Sequence, residues 1–236
     1  MNNTIEQIRV DLKAATDSKT QQSFQRFFKE QVKYYGVKTE TVGKIAKKYW
    51  HAVENLGKQD LFGLCEELYC SDYTEEAFIV AFWLPNYMNH LEPSDLATFK
   101  RWIECYINNW AKCDGFCNHT IGDLLQKYPQ SVEEVKSWAK SKNRWLKRAS
   151  AVSLIVPAKK GLFLKDAIEI CDALLRDGDD MVQKGYGWLL KEESRVHQKE
   201  VFDYVVCNQK IMPRTALRYA IELLPKELKA EAMKKE

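Results

Sequence analysis

Apolar residues recur along this chain with a period near 3.6, and the two-residue alternation of a half-buried strand is absent. The spacing predicts helices over about 4–15, 20–34, 39–54, 58–69, 73–89, 94–107, 109–127, 131–140, 143–156, 162–176, 180–194, 197–207, 213–224 and 226–235. The breaks fall at residues that start or stop helices. Thr39-Glu40-Thr41, Ser71-Asp72 and Pro93-Ser94 read as helix starts. Asp177-Gly178-Asp179 reads as a loop that caps the next helix, and Tyr128-Pro129-Gln130-Ser131 ends one helix and begins another. No Pro-, Gly- or Ser-rich linker divides the chain, so residues 1–236 are expected to form a single domain.

A weak repeat of 36 residues runs through these helices. Glu76, Lys112, Arg148 and Lys184 fall in register, and the next position is always small: Ala77, Cys113, Ala149, Gly185. Three residues on stand Gly115, Ala151 and Gly187, with Ile79 the exception; four on stand Val80, Phe116, Val152 and Trp188. Such a period marks stacked helical pairs. The expected fold is all-α: a curved solenoid, or superhelix, of antiparallel helix pairs of the HEAT or armadillo kind. Its function is expected along a concave surface, with a highly charged last helix, Pro225–Glu236, as a terminal cap.

Composition narrows the class. Hydrophobic residues make up 45% of the 236 and charged residues 29%, as in a soluble globular protein. No apolar run approaches the roughly 20 residues of a membrane span, and the polar start MNNTIEQIRV has no secretory core. The seven cysteines form no C-x-x-C pair and lie in apolar helical stretches, which suggests reduced, buried thiols in a cytoplasmic protein. A monomer without membrane partner is expected. The net charge is only +3, but residues 140–148 hold Lys140, Lys142, Arg144, Lys147 and Arg148 with no acid. Arg214 and Arg218 form a second basic pair one helical turn apart, while much of the acid lies elsewhere, in Cys65–Glu67 and Asp177–Asp180. A basic strip on one face is the footprint of a phosphate backbone; a solvated helix end is the plainer alternative.

Trp110 and Asp114 are four apart and share a helix face. A carboxylate beside an indole is suited to hold a cation. Arg148 follows Asp114 by 34 residues and Trp188 follows Arg148 by 40, each about one repeat. In strict register, however, Trp110 and Asp114 sit nearly opposite Arg148 and Trp188, and a two-residue slip is needed for all four to face together. Each residue also has a structural reading. Asp114 could pair with Lys112, the tryptophans could be core, and Arg148 could be an ordinary surface cation. Cys113, Cys117 and His119 offer no fourth ligand, so no metal is expected. No glycine-rich phosphate loop is present.

The segments Trp110…Asp114, Trp145-Leu146-Lys147-Arg148 and Gln183-Lys184-x-x-Gly187-Trp188 resemble the AlkD-type DNA alkylation-repair glycosylases. The run Arg26-Phe27-Phe28-Lys29…Tyr35-Gly36-Val37 is similar to that family's opening helices. The resemblance implies a HEAT-like array with a basic groove for double-stranded DNA and excision of cationic alkylpurines such as 3-methyladenine and 7-methylguanine. It implies that Asp114 is the catalytic aspartate, that Trp110 and Trp188 pack near the lesion, and that Arg148 contacts the DNA backbone. Lys142, Arg144, Lys147, Lys184, Arg214 and Arg218 are the further expected DNA-binding residues. Phe27 stands where the family can carry a tyrosine, and Gly115-Phe116-Cys117 departs from the family pattern.

The chemistry is coherent without a metal or cofactor. A purine alkylated at N3 or N7 is cationic and already a good leaving group. A carboxylate can stabilise the oxocarbenium-like sugar and orient water, as in glycosidases. Extrusion of the base into a pocket is not required by the resemblance, which implies capture in an open groove. The rival readings are a non-catalytic scaffold that binds DNA of unusual shape and a protein–protein interaction scaffold.

Overall fold

A computed structural model describes residues 2–234; residues 235 and 236, the end of the expected last helix, lie outside the described residues. Every regular element among them is helical, apart from an isolated parallel bridge between Lys33 and Tyr73. None of the described helices is long and apolar enough to cross a membrane. The chain divides into two compact units, Met1–Phe116 and Cys117–Glu236.

The first unit contains α1 (Asn2–Ala14), α2 (Ser18–Phe24), α3 (Thr39–Val53), α4 (Lys58–Cys70), α5 (Thr74–Asn86), α6 (Leu96–Tyr106) and α7 (Trp110–Phe116). Helices α3, α5 and α7 pack side by side as one layer, and α1, α4 and α6 pack as a second. Short connections such as 71–73 make neighbours antiparallel. An aromatic cluster of Phe62, Tyr69, Phe99, Trp102 and Phe116 fills the space between layers, with Trp102 and Phe99 fully buried.

The second unit contains α8 (Gly122–Lys127), α9 (Val132–Ser137), α10 (Arg144–Val152), α11 (Ile155–Ala158), α12 (Leu164–Leu174), α13 (Asp180–Glu193), α14 (Gln198–Asn208), α15 (Arg214–Ala220) and α16 (Lys226–Ala232). It opens on a π-helical turn, Cys117–Ile121. Here α10, α13 and α15 form one layer, against which α12 and α14 pack. As expected, Asp179 caps α13: its side chain accepts from the Met181 and Val182 amides.

The repeat has a packing cause. The small residues Ala77, Cys113 and Ala149 are at most 3% exposed. A Cβ on Gly187 would lie 2.7 Å from the Ala216 carbonyl and 2.8 Å from Tyr219 Cβ, so glycine there lets α13 and α15 approach closely. The period also extends beyond the four residues that revealed it, because α3 and α15 start about one repeat before α5 and after α13.

Two expectations are corrected. The helix expected over 20–34 ends early: α2 passes into a single 3-10 turn, Gln25–Phe27, and residues 28–38 are irregular. Within the irregular stretch the Gln25 side chain donates to the Glu30 carbonyl at 2.7 Å and accepts the Val32 amide at 3.3 Å, and a second holding group lies forty residues away. The fully buried Glu75 carboxylate accepts the backbone amides of Tyr35, Gly36 and Val37 at 2.8–3.1 Å, which holds these donors out of a helix. Gly36 takes φ 86°, where a side chain would be strained. The cysteines are also not uniformly buried, since Cys70, Cys105 and Cys207 are exposed while Cys65, Cys113, Cys117 and Cys171 are buried. Those three lie on the water-facing sides of their helices.

Candidate functional site

Helix α7 is set by polar residues before it sets any of its own. Asn109, fully buried, accepts the Lys112 amide on Oδ1 (3.0 Å) and the Cys113 amide on its carbonyl (3.2 Å), so it caps the helix. Lys112 is 3% exposed, and its ammonium donates to Asp72 Oδ1 (2.7 Å) and to the Asp72 carbonyl (3.0 Å). Asn108 donates to the same carboxylate at 2.7 Å. Burial pulls the Lys112 pKa down. Burial acts to raise the Asp72 carboxyl, but the Lys112 bond and charge carry it below its ordinary value.

Trp110 and Asp114 stand one turn apart on the same helix and are both half-buried. The Trp110 indole Nε1–H donates to the Phe27 carbonyl at 3.1 Å. The Phe28 ring stacks on the indole with centroids 5.4 Å apart and planes at 21°. The structure thus brings together Phe27, Trp110 and Asp114. The Phe27 ring itself is 68% exposed. Phe28 figures in the sequence only as part of the Arg26–Lys29 run; two adjacent phenylalanines flanked by cations are the signal that singles it out. The departure at Gly115-Phe116-Cys117 serves packing: Gly115 faces Phe78 and Ala81 on α5, while Phe116 and Cys117 are buried.

In the second unit Arg148 is only 5% exposed, and its Nη1 donates to the Met181 carbonyl at 2.5 Å. Gly185 leaves room for it, since a Cβ there would lie 3.2 Å from Arg148 Cγ. Trp188 is half-buried and donates to Glu192 Oε1 at 3.1 Å. Burial acts to raise the Glu192 carboxyl, but the bonds from Arg195 and Trp188 bring it below its ordinary value.

The basic strip is corrected in its electrostatics. Arg144 forms an ion pair with Asp179 at 2.9 Å, Lys147 with Asp177 at 2.5 Å, and Lys184 with Asp180 at 2.9 Å. The acidic stretch 177–180, expected apart from the strip, neutralises two of its five cations, Arg144 and Lys147, because the loop before α13 lies beside α10. Arg144 also lies over the Trp145 ring, 4.9 Å from its centroid. Arg148 points into the unit rather than along an exposed strip. Lys142 and Arg218 are exposed, and Arg214 is half-buried with Nη2 3.2 Å from Met233 Sδ.

The family model described as DNA alkylation repair enzyme matches residues 8–224. The chain belongs to this family. No curated protein matches it. Among solved structures, this DNA alkylation repair family member shares its fold with an Enterococcus faecalis protein described as a predicted DNA alkylation repair enzyme. The two are 14% identical at a TM-score of 0.79, over 89% of this chain and 97% of the other. It also resembles the Pseudomonas fluorescens alkylpurine DNA glycosylase AlkC, bound to DNA containing an abasic site analogue. That match has 16% identity and a TM-score of 0.57, and covers 98% of this chain and 64% of AlkC. The helical-repeat fold expected from the periodicity is therefore that of DNA alkylation repair proteins.

Proposed function

We propose that this chain is an AlkD-type DNA glycosylase that releases 3-methyladenine and 7-methylguanine from double-stranded DNA, acting across residues 1–236 as one functional domain. It does so as a cytoplasmic monomer that uses no metal or cofactor. The observation that carries the reading is Asp114, one turn from an indole held by the Phe27 carbonyl and the Phe28 ring, in a chain of the DNA alkylation repair family. Alkylation makes the purine cationic. The C1′–N9 bond breaks with its electron pair going to the base, which leaves uncharged. Positive charge passes to the sugar, where the Asp114 carboxylate stabilises it and orients water for attack on C1′. The water proton passes to that carboxylate or to solvent. Products are the free base and an abasic site, the DNA state that AlkC holds an analogue of. Trp110 and Trp188 offer π faces to the cationic base or sugar. Lys142, Arg214 and Arg218 supply backbone contacts. Arg144, Lys147, Arg148 and Lys184 contribute where their partners within the protein release them.

The test is direct. Methylated duplex DNA is incubated with the protein and released bases are measured. Asp114→Asn is expected to abolish 7-methylguanine release while most DNA affinity remains. Equal release by that variant would remove Asp114 from catalysis. The neutralised cations Arg144, Lys147 and Lys184 favour one second reading, a protein–protein interaction scaffold. Absence of both DNA binding and base release with the wild-type protein would decide for it.

A further inference from the structure

One segment is chemically conspicuous, and the mechanism above uses only its Phe27 carbonyl and Phe28 ring. Residues 18–34 contain no buried side chain, yet Phe24, Phe27, Phe28 and Tyr34 all lie there. Three of these rings form a column. Tyr34 stacks on Phe24 at 4.5 Å and Phe24 on Phe28 at 5.2 Å, with planes within 26° of parallel. The column ends on Trp110, the indole one turn from Asp114. Phe24, Phe28, Val37, Lys38, Phe78 and Trp110 line a cavity of about 310 Å³, which is within the size range of small-molecule sites. Phe27 lines it as well.

Cations alternate with these rings. Lys19, Arg26, Lys29, Lys33 and Lys38 are all exposed, and Glu30 is the one acid between residues 18 and 38. Flat apolar faces interleaved with cations are the chemistry that holds unpaired nucleotides, since bases stack on rings while basic side chains follow the phosphates. A base inside a duplex has both faces covered by its neighbours. A ring column therefore favours a base that has left the stack. Abasic DNA supplies such a base, the one opposite the missing base.

We propose that the cavity lined by Phe24, Phe28, Phe78 and Trp110 binds one unpaired base of the DNA, with Lys38 at its wall and the exposed Arg26 and Lys33 on the flanking phosphates. This rests on the DNA-binding reading and adds a base-stacking site to it. The probe is a duplex with 2-aminopurine opposite an abasic-site analogue, compared with the fully paired duplex. Wild-type protein is expected to bind the unpaired probe about tenfold more tightly and to quench its fluorescence by stacking. Phe78→Leu and Phe24→Leu keep apolar volume at half-exposed positions. Each is expected to bring the preference close to one and to remove the quench, with affinity for paired duplex retained. Equal affinity of the wild type for both probes, or an undiminished quench in both variants, overturns the proposal. Failure to bind either duplex overturns the DNA reading as well. A preserved base preference without 7-methylguanine release overturns the glycosylase reading alone.

Discussion

Glu193→Gln is expected to make the protein more stable, and increasingly so as pH rises. Glu193 is the last residue of α13 and is 0% exposed. Neither of its carboxylate oxygens has a hydrogen-bond partner among the described residues. Burial pushes its pKa up to about 8. The carbonyl end of the helix dipole also disfavours negative charge there. An unfolded chain has this carboxyl at about 4.3. Between those values the folded chain keeps a proton that the unfolded chain releases, so stability falls as pH rises. The slope is about 1.4 kcal/mol per pH unit, and the loss is complete above about pH 8. By pH 7 this amounts to about 4 kcal/mol as an upper bound. Glutamine keeps the shape and carries no charge at any pH. Its amide adds unsatisfied donors, but that cost does not change with pH. Urea unfolding of both proteins at several pH values between 5 and 8 isolates the effect, because all other titrating groups cancel in the difference. The variant's advantage should grow by about 1.4 kcal/mol per unit up to pH 7 and level off near pH 8. A difference that stays constant across this range would mean that Glu193 is ionised and partnered in the folded state, and the reasoning would fail.

Lys142→Ala and Arg218→Ala should each lower the slope of log binding constant against log salt by about one phosphate contact. Arg144→Ala and Lys147→Ala should lower it less, because Asp179 and Asp177 already neutralise these cations; equal effects from all four would show that the ion pairs open on DNA. Glu75→Ala should destabilise the protein by about 3 kcal/mol or more, since three buried amides lose their acceptor. Thermal unfolding checks this, and a change below about 1 kcal/mol would mean that 35–37 finds other partners.

What could be read from the sequence was what local periodicity determines. The helical class and the repeat follow from apolar spacing and from small residues that recur where helices touch, such as Ala149 and Gly187. What could not be read depends on partners distant in the chain. Residues 28–34 look helical by their spacing, yet they run into the amides of 35–37, which Glu75 holds from forty positions away. The strip at 140–148 looks like free positive charge, yet its acids lie 30 and 35 residues on, at Asp177 and Asp179. The setting of Trp110 depends on a carbonyl 83 residues earlier. Charge and aromatic content are visible in a sequence; which charges remain unspent after folding is not.

The register itself has a meaning that its residue types conceal. Its charged positions are ones a reader would assign to a ligand, but three of the four are consumed by the fold. Glu76, 0% exposed, accepts from Tyr35 Oη at 2.6 Å and from Arg9 Nε at 3.3 Å. Lys112 is held by Asp72, and Arg148 by the Met181 carbonyl. Each ties its helix to a neighbouring segment of the same unit, and an unpartnered charge so deeply buried would cost several kcal/mol. Positions that must make the same internal contact in every repeat keep the period. Positions that face a ligand are free of that constraint, because each repeat meets a different part of the ligand. Trp110 and Asp114 accordingly stand two residues to either side of the buried Lys112 and remain half-exposed. The repeat therefore reports the contacts that build each unit: of the proposed site residues, Arg148 and Trp188 fall in its register, whereas Trp110 and Asp114 flank it.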